Sequence, residues 1–78
     1  MTLGERIAYY RGALGLSQGE LAEKLGVSRQ AVSKWETDAG LPDLDRLIAL
    51  SGLYNITLDE LVKGAAPSPA PADGTPAT

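Results

Sequence analysis

Apolar residues recur along this chain at spacings of three and four rather than in alternation, which predicts helices and no strands. Thr2 with Glu5 three residues on is a capping box, after which Leu3, Ile7, Tyr10 and Leu14 share one helical face. Gly15 supplies the left-handed conformation that ends this helix. Ser17 and Glu20 form a second box ahead of Leu21, Ala22 and Leu25, and Gly26 is the stop. Ser28 caps a third helix that runs to about Thr37, followed by a loop over Asp38-Ala39-Gly40-Leu41. Pro42 suits the first turn of a fourth helix, with Leu44, Leu47, Ile48 and Tyr54 as its buried stripe and Asn55 as its end. Thr57 and Glu60 make a third box before Leu58, Leu61 and Val62, and Gly64 closes the fold. The pattern predicts an all-α domain of five helices over residues 1–63. Its second and third helices meet at the tight Gly26-Val27 break as a helix-turn-helix.

Composition changes this picture at one end and narrows the chemistry. Gly64 to Thr78 is Ala, Pro, Gly, Ser and Thr with a single charge, Asp73, and reads as a disordered tail or linker. The part that folds, roughly sixty residues, buries only about 60 % of its unfolded surface, so a partner subunit helps it. With no cysteine and no histidine, disulfides, thiolate metal sites and the commonest general base are excluded. No catalytic residues, no metal and no cofactor are expected, and an enzyme is not the reading. No apolar run reaches the ~20 residues that span a bilayer, and no signal peptide pattern opens the chain, so cytoplasm is the expected compartment. An anchor beyond the linker stays open.

The net charge of −3 argues against a nucleic-acid partner until its distribution is read. Residues 1–37 carry Arg6, Arg11, Lys24, Arg29 and Lys34 against Glu5, Glu20, Glu23 and Glu36, a net of +1. Residues 38–78 carry Arg46 and Lys63 against Asp38, Asp43, Asp45, Asp59, Glu60 and Asp73, a net of −4. A weakly positive front and an acidic back suit orientation on DNA.

The third helix sharpens that reading. At 100° per residue, Arg29, Ser33, Thr37, Gln30 and Lys34 fall within an arc of about 140°, opposite Ser28, Ala31, Val32 and Trp35. Arginine can fork onto guanine O6 and N7, glutamine onto adenine N6 and N7, and lysine can reach a guanine edge or a phosphate. Any surface helix is polar outside, but Ala22, Ala31 and Ser33 keep two helices slim enough to cross closely. Trp35, on the apolar arc, is assigned to the core rather than to base stacking; Tyr10 joins the core and Tyr9 lies at its margin. Arg6 and Lys24 are candidates for flanking phosphates. Carboxylates such as Asp43, Asp59 and Glu60 sit in first helical turns and serve the helix dipole rather than a cation.

Leu16 to Glu36 (with Ser-Arg-Gln-Ala-Val-Ser-Lys-Trp-Glu as its most characteristic part), Leu41-Pro42-Asp43-Leu44 and Thr57-Leu58-Asp59-Glu60-Leu61 together resemble the Xre family of helix-turn-helix regulators, relatives of the lambdoid phage repressors and Cro. The resemblance covers roughly residues 2–63. It implies a repressor-type DNA-binding fold and a sequence-specific transcriptional regulator, a repressor by preference, on double-stranded DNA. It also implies roles for named residues: Gln18 holds a phosphate and buttresses the recognition helix; Ser28, Arg29 and Gln30 meet base edges and phosphates; Ser33 and Lys34 face the groove on the next turn. Arg11 and Glu36 match an ion pair tying the first helix to the end of the third. Thr37-Asp38 stands where many members have a glycine or Asn-Gly turn, which sets an acid where the loop would approach a phosphate. Gly12 and Gly19 are weak helix formers with no evident purpose.

One domain makes few contacts, so a homodimer on two half-sites about 34 Å apart is expected, at least on DNA. Tyr54, Ile56, Leu58, Leu61 and Val62 are the candidate dimer surface. Two other readings use the same fold: an antitoxin with a toxin partner, and a protein-interaction module that does not bind DNA.

Overall fold

The computed structural model describes residues 1–64. They form α1 (Leu3–Ala13), α2 (Gln18–Leu25), α3 (Arg29–Glu36), α4 (Leu44–Tyr54) and α5 (Leu58–Lys63). No strand occurs among the described residues. The reading of a disordered tail lies outside them, at residues 65–78.

The helix ends follow the local chemistry. Thr2, Ser17 and Thr57 each accept a backbone N–H from a glutamate three residues on, and each glutamate carboxylate accepts the cap residue's own N–H. Ser28 Oγ accepts the N–H of Ala31 at 3.2 Å. Gly26, Asn55 and Gly64 end α2, α4 and α5 in the left-handed region. Gly15 is left-handed as well, one residue beyond the C-cap Leu14.

The fourth helix differs from expectation at both its start and its phase. Pro42 is not in the first turn: Asp43 is the N-cap, its carboxylate accepting the Arg46 N–H at 2.9 Å, and Pro42 is buried just ahead of it. A carboxylate satisfies an orphan helix donor better than the ring, which leaves the proline free to pack. Of the expected stripe, Tyr54 is buried and Leu47 half-buried, but Leu44 and Ile48 are 61 % and 52 % exposed. The buried partner is Leu50, so the stripe runs through 47, 50 and 54. On α1, likewise, Leu14 is exposed while Ile7 is fully buried.

Ile7, Leu21, Ala22, Val32, Trp35, Leu50, Tyr54 and Leu61 form the core, drawing on all five helices. Tyr10 stacks on Tyr54 with ring centroids 5.3 Å apart, and Tyr9 lies exposed beside it. Tyr54 and Leu61 are thus core residues, not dimer surface; of that candidate set only Val62 is exposed, with Ile56 and Leu58 half-buried.

Tyr54 spends its one polar group inside: its hydroxyl donates to the Ile7 carbonyl at 2.9 Å. Burial pushes its pKa well above the ordinary tyrosine value, and the charge of Glu36 adds to this while Arg11 opposes it. Above a pH of about 10 the unfolded chain therefore releases a proton that the folded chain keeps, and stability falls as pH rises. Tyr54→Phe should lose about 1 kcal/mol at neutral pH, from the hydrogen bond. Its alkaline decline should be shallower than the wild type's in urea melts at pH 8 and pH 11.

Candidate nucleic-acid interface

The second and third helices cross around the Gly26-Val27 turn, with Leu21 and Ala22 of α2 against Val32 and Trp35 of α3 in one core. Burying Val32 and Trp35 turns the other side of α3 outward. Arg29, Gln30 and Lys34 are exposed there and Ser33 is half-buried, while Ser28, the N-cap of α3, is exposed at the start of the helix. Four of the five candidates therefore share the outward face of α3 and Ser28 stands at its N-terminal end, with no ion pair drawing either cation back onto the protein among the described residues. Thr37, also exposed, donates its hydroxyl to the carbonyls of Ser33 and Lys34 and so finishes the helix.

Gln18, the first residue of α2, is half-buried and joins α3 at its far end. Its Nε2 donates to Glu36 Oε1 at 2.9 Å. The same carboxylate accepts from Arg11 Nε at 2.6 Å and from Arg11 Nη2 at 3.1 Å, while Arg11 Nη1 donates to the Leu16 carbonyl at 2.8 Å. The hydrogen bond to Glu36 raises the Arg11 pKa further. Glu36 thus anchors three elements at once: α1 through Arg11, α2 through Gln18, and α3 as its last residue. The remaining oxygen and backbone of Gln18 stay at the N-terminus of α2, the positive end of that helix.

Gly19 acquires a neighbour here. A Cβ at Gly19 would lie 3.7 Å from Arg29 Cδ, so the Arg29 stem runs over the first turn of α2. Nothing in the structure requires glycine at Gly12.

Two expectations about charge are corrected. Arg6 is no free cation: its guanidinium donates to the carbonyls of Leu61, Val62 and Met1, clasping α1 to the end of α5. Carbonyls left open at a helix C-terminus are good acceptors for a guanidinium, which explains the capture. Asp38 does not point outward toward an approaching phosphate. Its carboxylate accepts the Thr2 hydroxyl at 2.6 Å and the Gly4 N–H at 3.0 Å, at the positive N-terminus of α1. Lys24 remains exposed.

Sequence reasoning missed Gly4 and Asp38 as a pair. A glycine in the first turn of an otherwise ordinary helix was the available signal for Gly4. Asp38 stands out in the sequence as an acid at a turn that favours glycine, but its partners Thr2 and Gly4 lie 36 and 34 residues away, beyond any local pattern.

The family model for the helix-turn-helix matches residues 7–61, which includes every helix placed above except the first turn of α1 and the end of α5. The chain belongs to the Xre-like helix-turn-helix family. It is 41 % identical over 64 residues to the HTH-type transcriptional activator BcrR of Enterococcus faecalis, covering 82 % of this chain and 31 % of that protein. It is 42 % identical over 62 residues to the HTH-type transcriptional regulator ImmR of Bacillus subtilis, covering 80 % of this chain and 49 % of that protein. The chain thus spans from about three tenths to about half of the length of these helix-turn-helix relatives. Among solved structures it is similar to the phage P22 c2 repressor in its crystal complex with a synthetic operator, at a TM-score of 0.79 and 37 % identity over 83 % of this chain and 98 % of that one.

Proposed function

We propose that this domain is a sequence-specific double-stranded DNA-binding module of a transcriptional regulator, acting as a repressor by occluding a promoter. In this reading α3 lies in the major groove, where Ser28, Arg29, Gln30, Ser33 and Lys34 meet base edges and phosphates, and Gln18 grips the backbone from α2. The observation that carries it is the outward face of α3: a forked cation, an amide and an ammonium stand together in solvent on a helix fixed from behind by Val32, Trp35 and Glu36. The likeness to a repressor bound to operator DNA supports it.

One such face reads few base pairs, so the working unit is a homodimer on half-sites about 34 Å apart. The exposed part of the earlier candidate surface, Val62 with the half-buried Ile56 and Leu58, is small, so pairing is completed on DNA.

Selection of bound duplexes from a randomised library, with the selected site titrated in salt, tests the reading. A sequence preference together with a log–log slope well below zero is the expected result; a slope near zero would mark a protein-interaction module instead. On the selected site Arg29→Ala should cost roughly 1–3 kcal/mol and relax preference at one base pair. Equal weakening on every duplex would place Arg29 on phosphate, which its path over Gly19 also permits.

A further inference from the structure

The junction between the end of α3 and the start of α1 holds two residues that are costly where they stand. Asp38 occupies the left-handed region, at φ 60°, just past the C-cap of α3, a conformation that glycine adopts freely and aspartate only at a cost. Gly4 sits in the first turn of α1 and is buried. A Cβ there would be driven into the Trp35 carbonyl oxygen and would lie 2.9 Å from that of Glu36, so α1 approaches the last turn of α3 at a distance only glycine allows.

Each exception supports the same contact. With α1 so close, the Asp38 carboxylate reaches the Thr2 hydroxyl and the Gly4 N–H, 36 and 34 residues away in sequence. Thr2 Oγ1 meanwhile accepts the Glu5 N–H, so Asp38 extends the capping box of α1 with a charge from the far side of the domain. The backbone of Asp38 still does the work of ending α3: its N–H donates to the Trp35 carbonyl, and those of Ala39 and Gly40 donate to Lys34.

We infer that Asp38, seated through Gly4, is a positioning residue for operator reading. It fixes the inclination of α3 on α1, and that inclination decides whether Gln30, Ser33 and Lys34 reach base edges in register. This rests on the function proposed above. Phosphate contacts tolerate a small tilt, whereas a forked hydrogen bond to a base edge does not, so the junction governs discrimination rather than overall grip.

Asp38→Gly tests this without confounding loss of fold, because glycine removes the carboxylate while relieving the left-handed strain. The orientation of α3 against α1 is read from residual dipolar couplings in the free domain. The ratio of affinities for the library-selected duplex and a scrambled one is read alongside it. The expected result is a folded variant with a changed α3 orientation, a fall of about tenfold in that ratio, near the loss of one base contact, and an unchanged salt slope. Asp38→Asn, which tolerates the left-handed region and keeps an acceptor for Gly4, should recover most of the ratio. Unchanged couplings, or an unchanged ratio in Asp38→Gly, overturn the inference. A wild-type chain that prefers no duplex overturns the function reading itself, and the role of Asp38 in discrimination with it.

Discussion

Trp35→Ala is expected to leave this domain largely unfolded at 37 °C. Trp35 is 7 % exposed and belongs to the core cluster that holds the fully buried Ile7, Val32 and Leu50. Truncating a buried tryptophan to alanine removes its transfer free energy and leaves a cavity, together about 3–5 kcal/mol. A domain of this size has a total stability on the order of 3–9 kcal/mol, so the loss consumes from about a third of it to all of it. The surrounding helices have little freedom to close the gap, because Gly4 already brings α1 to the limit of approach beside the Trp35 carbonyl. Trp35→Phe should cost less, since a ring still fills much of the space. As Trp35 is the only tryptophan, circular dichroism rather than tryptophan fluorescence has to follow the melt. A Trp35→Ala domain melting like the wild type would remove Trp35 from the core and reopen a stacking role for it.

What the sequence made legible, and what it hid, divides by the range of the interaction. The three capping boxes and the left-handed ends at Gly26, Asn55 and Gly64 could be read directly, because each joins residues within three or four positions. The polar face of α3 was legible for the same reason: a period near 3.6 assigns Arg29, Gln30 and Lys34 to one side once Trp35 is assigned to the other. The phase of α4 was not. Leu44, Leu47, Ile48, Leu50, Leu53 and Tyr54 surround most of that helix, so periodicity alone could not choose between the 44/48 stripe and the 47/50/54 stripe. The polar clasps are long-range and left no local trace. Arg6 resembled a free surface cation until α5 folded back onto it, and Asp38 resembled a repulsive charge until α1 presented its N-terminus. The Arg11–Glu36 pair and the buttressing of α3 by Gln18 were both implied by resemblance; that the two share one carboxylate is a long-range contact with no local trace.

Replacing Glu36 should separate stability from function at that three-way anchor. Its side chain is 6 % exposed and that of Arg11 is 21 % exposed, so the pair is poorly solvated and removal of one partner strands the other. Breaking a buried pair costs 3–5 kcal/mol. Arg11 retains the Leu16 carbonyl and some access to water, so Glu36→Ala should lie near the low end, about 3 kcal/mol, in urea melts at neutral pH. Replacing both partners, as Arg11→Met with Glu36→Leu, removes the stranded charge and should recover most of that loss. DNA binding should not recover with it. Gln18 loses its acceptor in either variant, and an amide no longer held by Glu36 must be ordered anew at each encounter with a phosphate. The double variant should therefore fold well, keep the sequence preference set by α3, and bind every duplex several-fold more weakly than the wild type. Full recovery of affinity together with stability would mean that Gln18 does no more than pack, and that the backbone is gripped elsewhere.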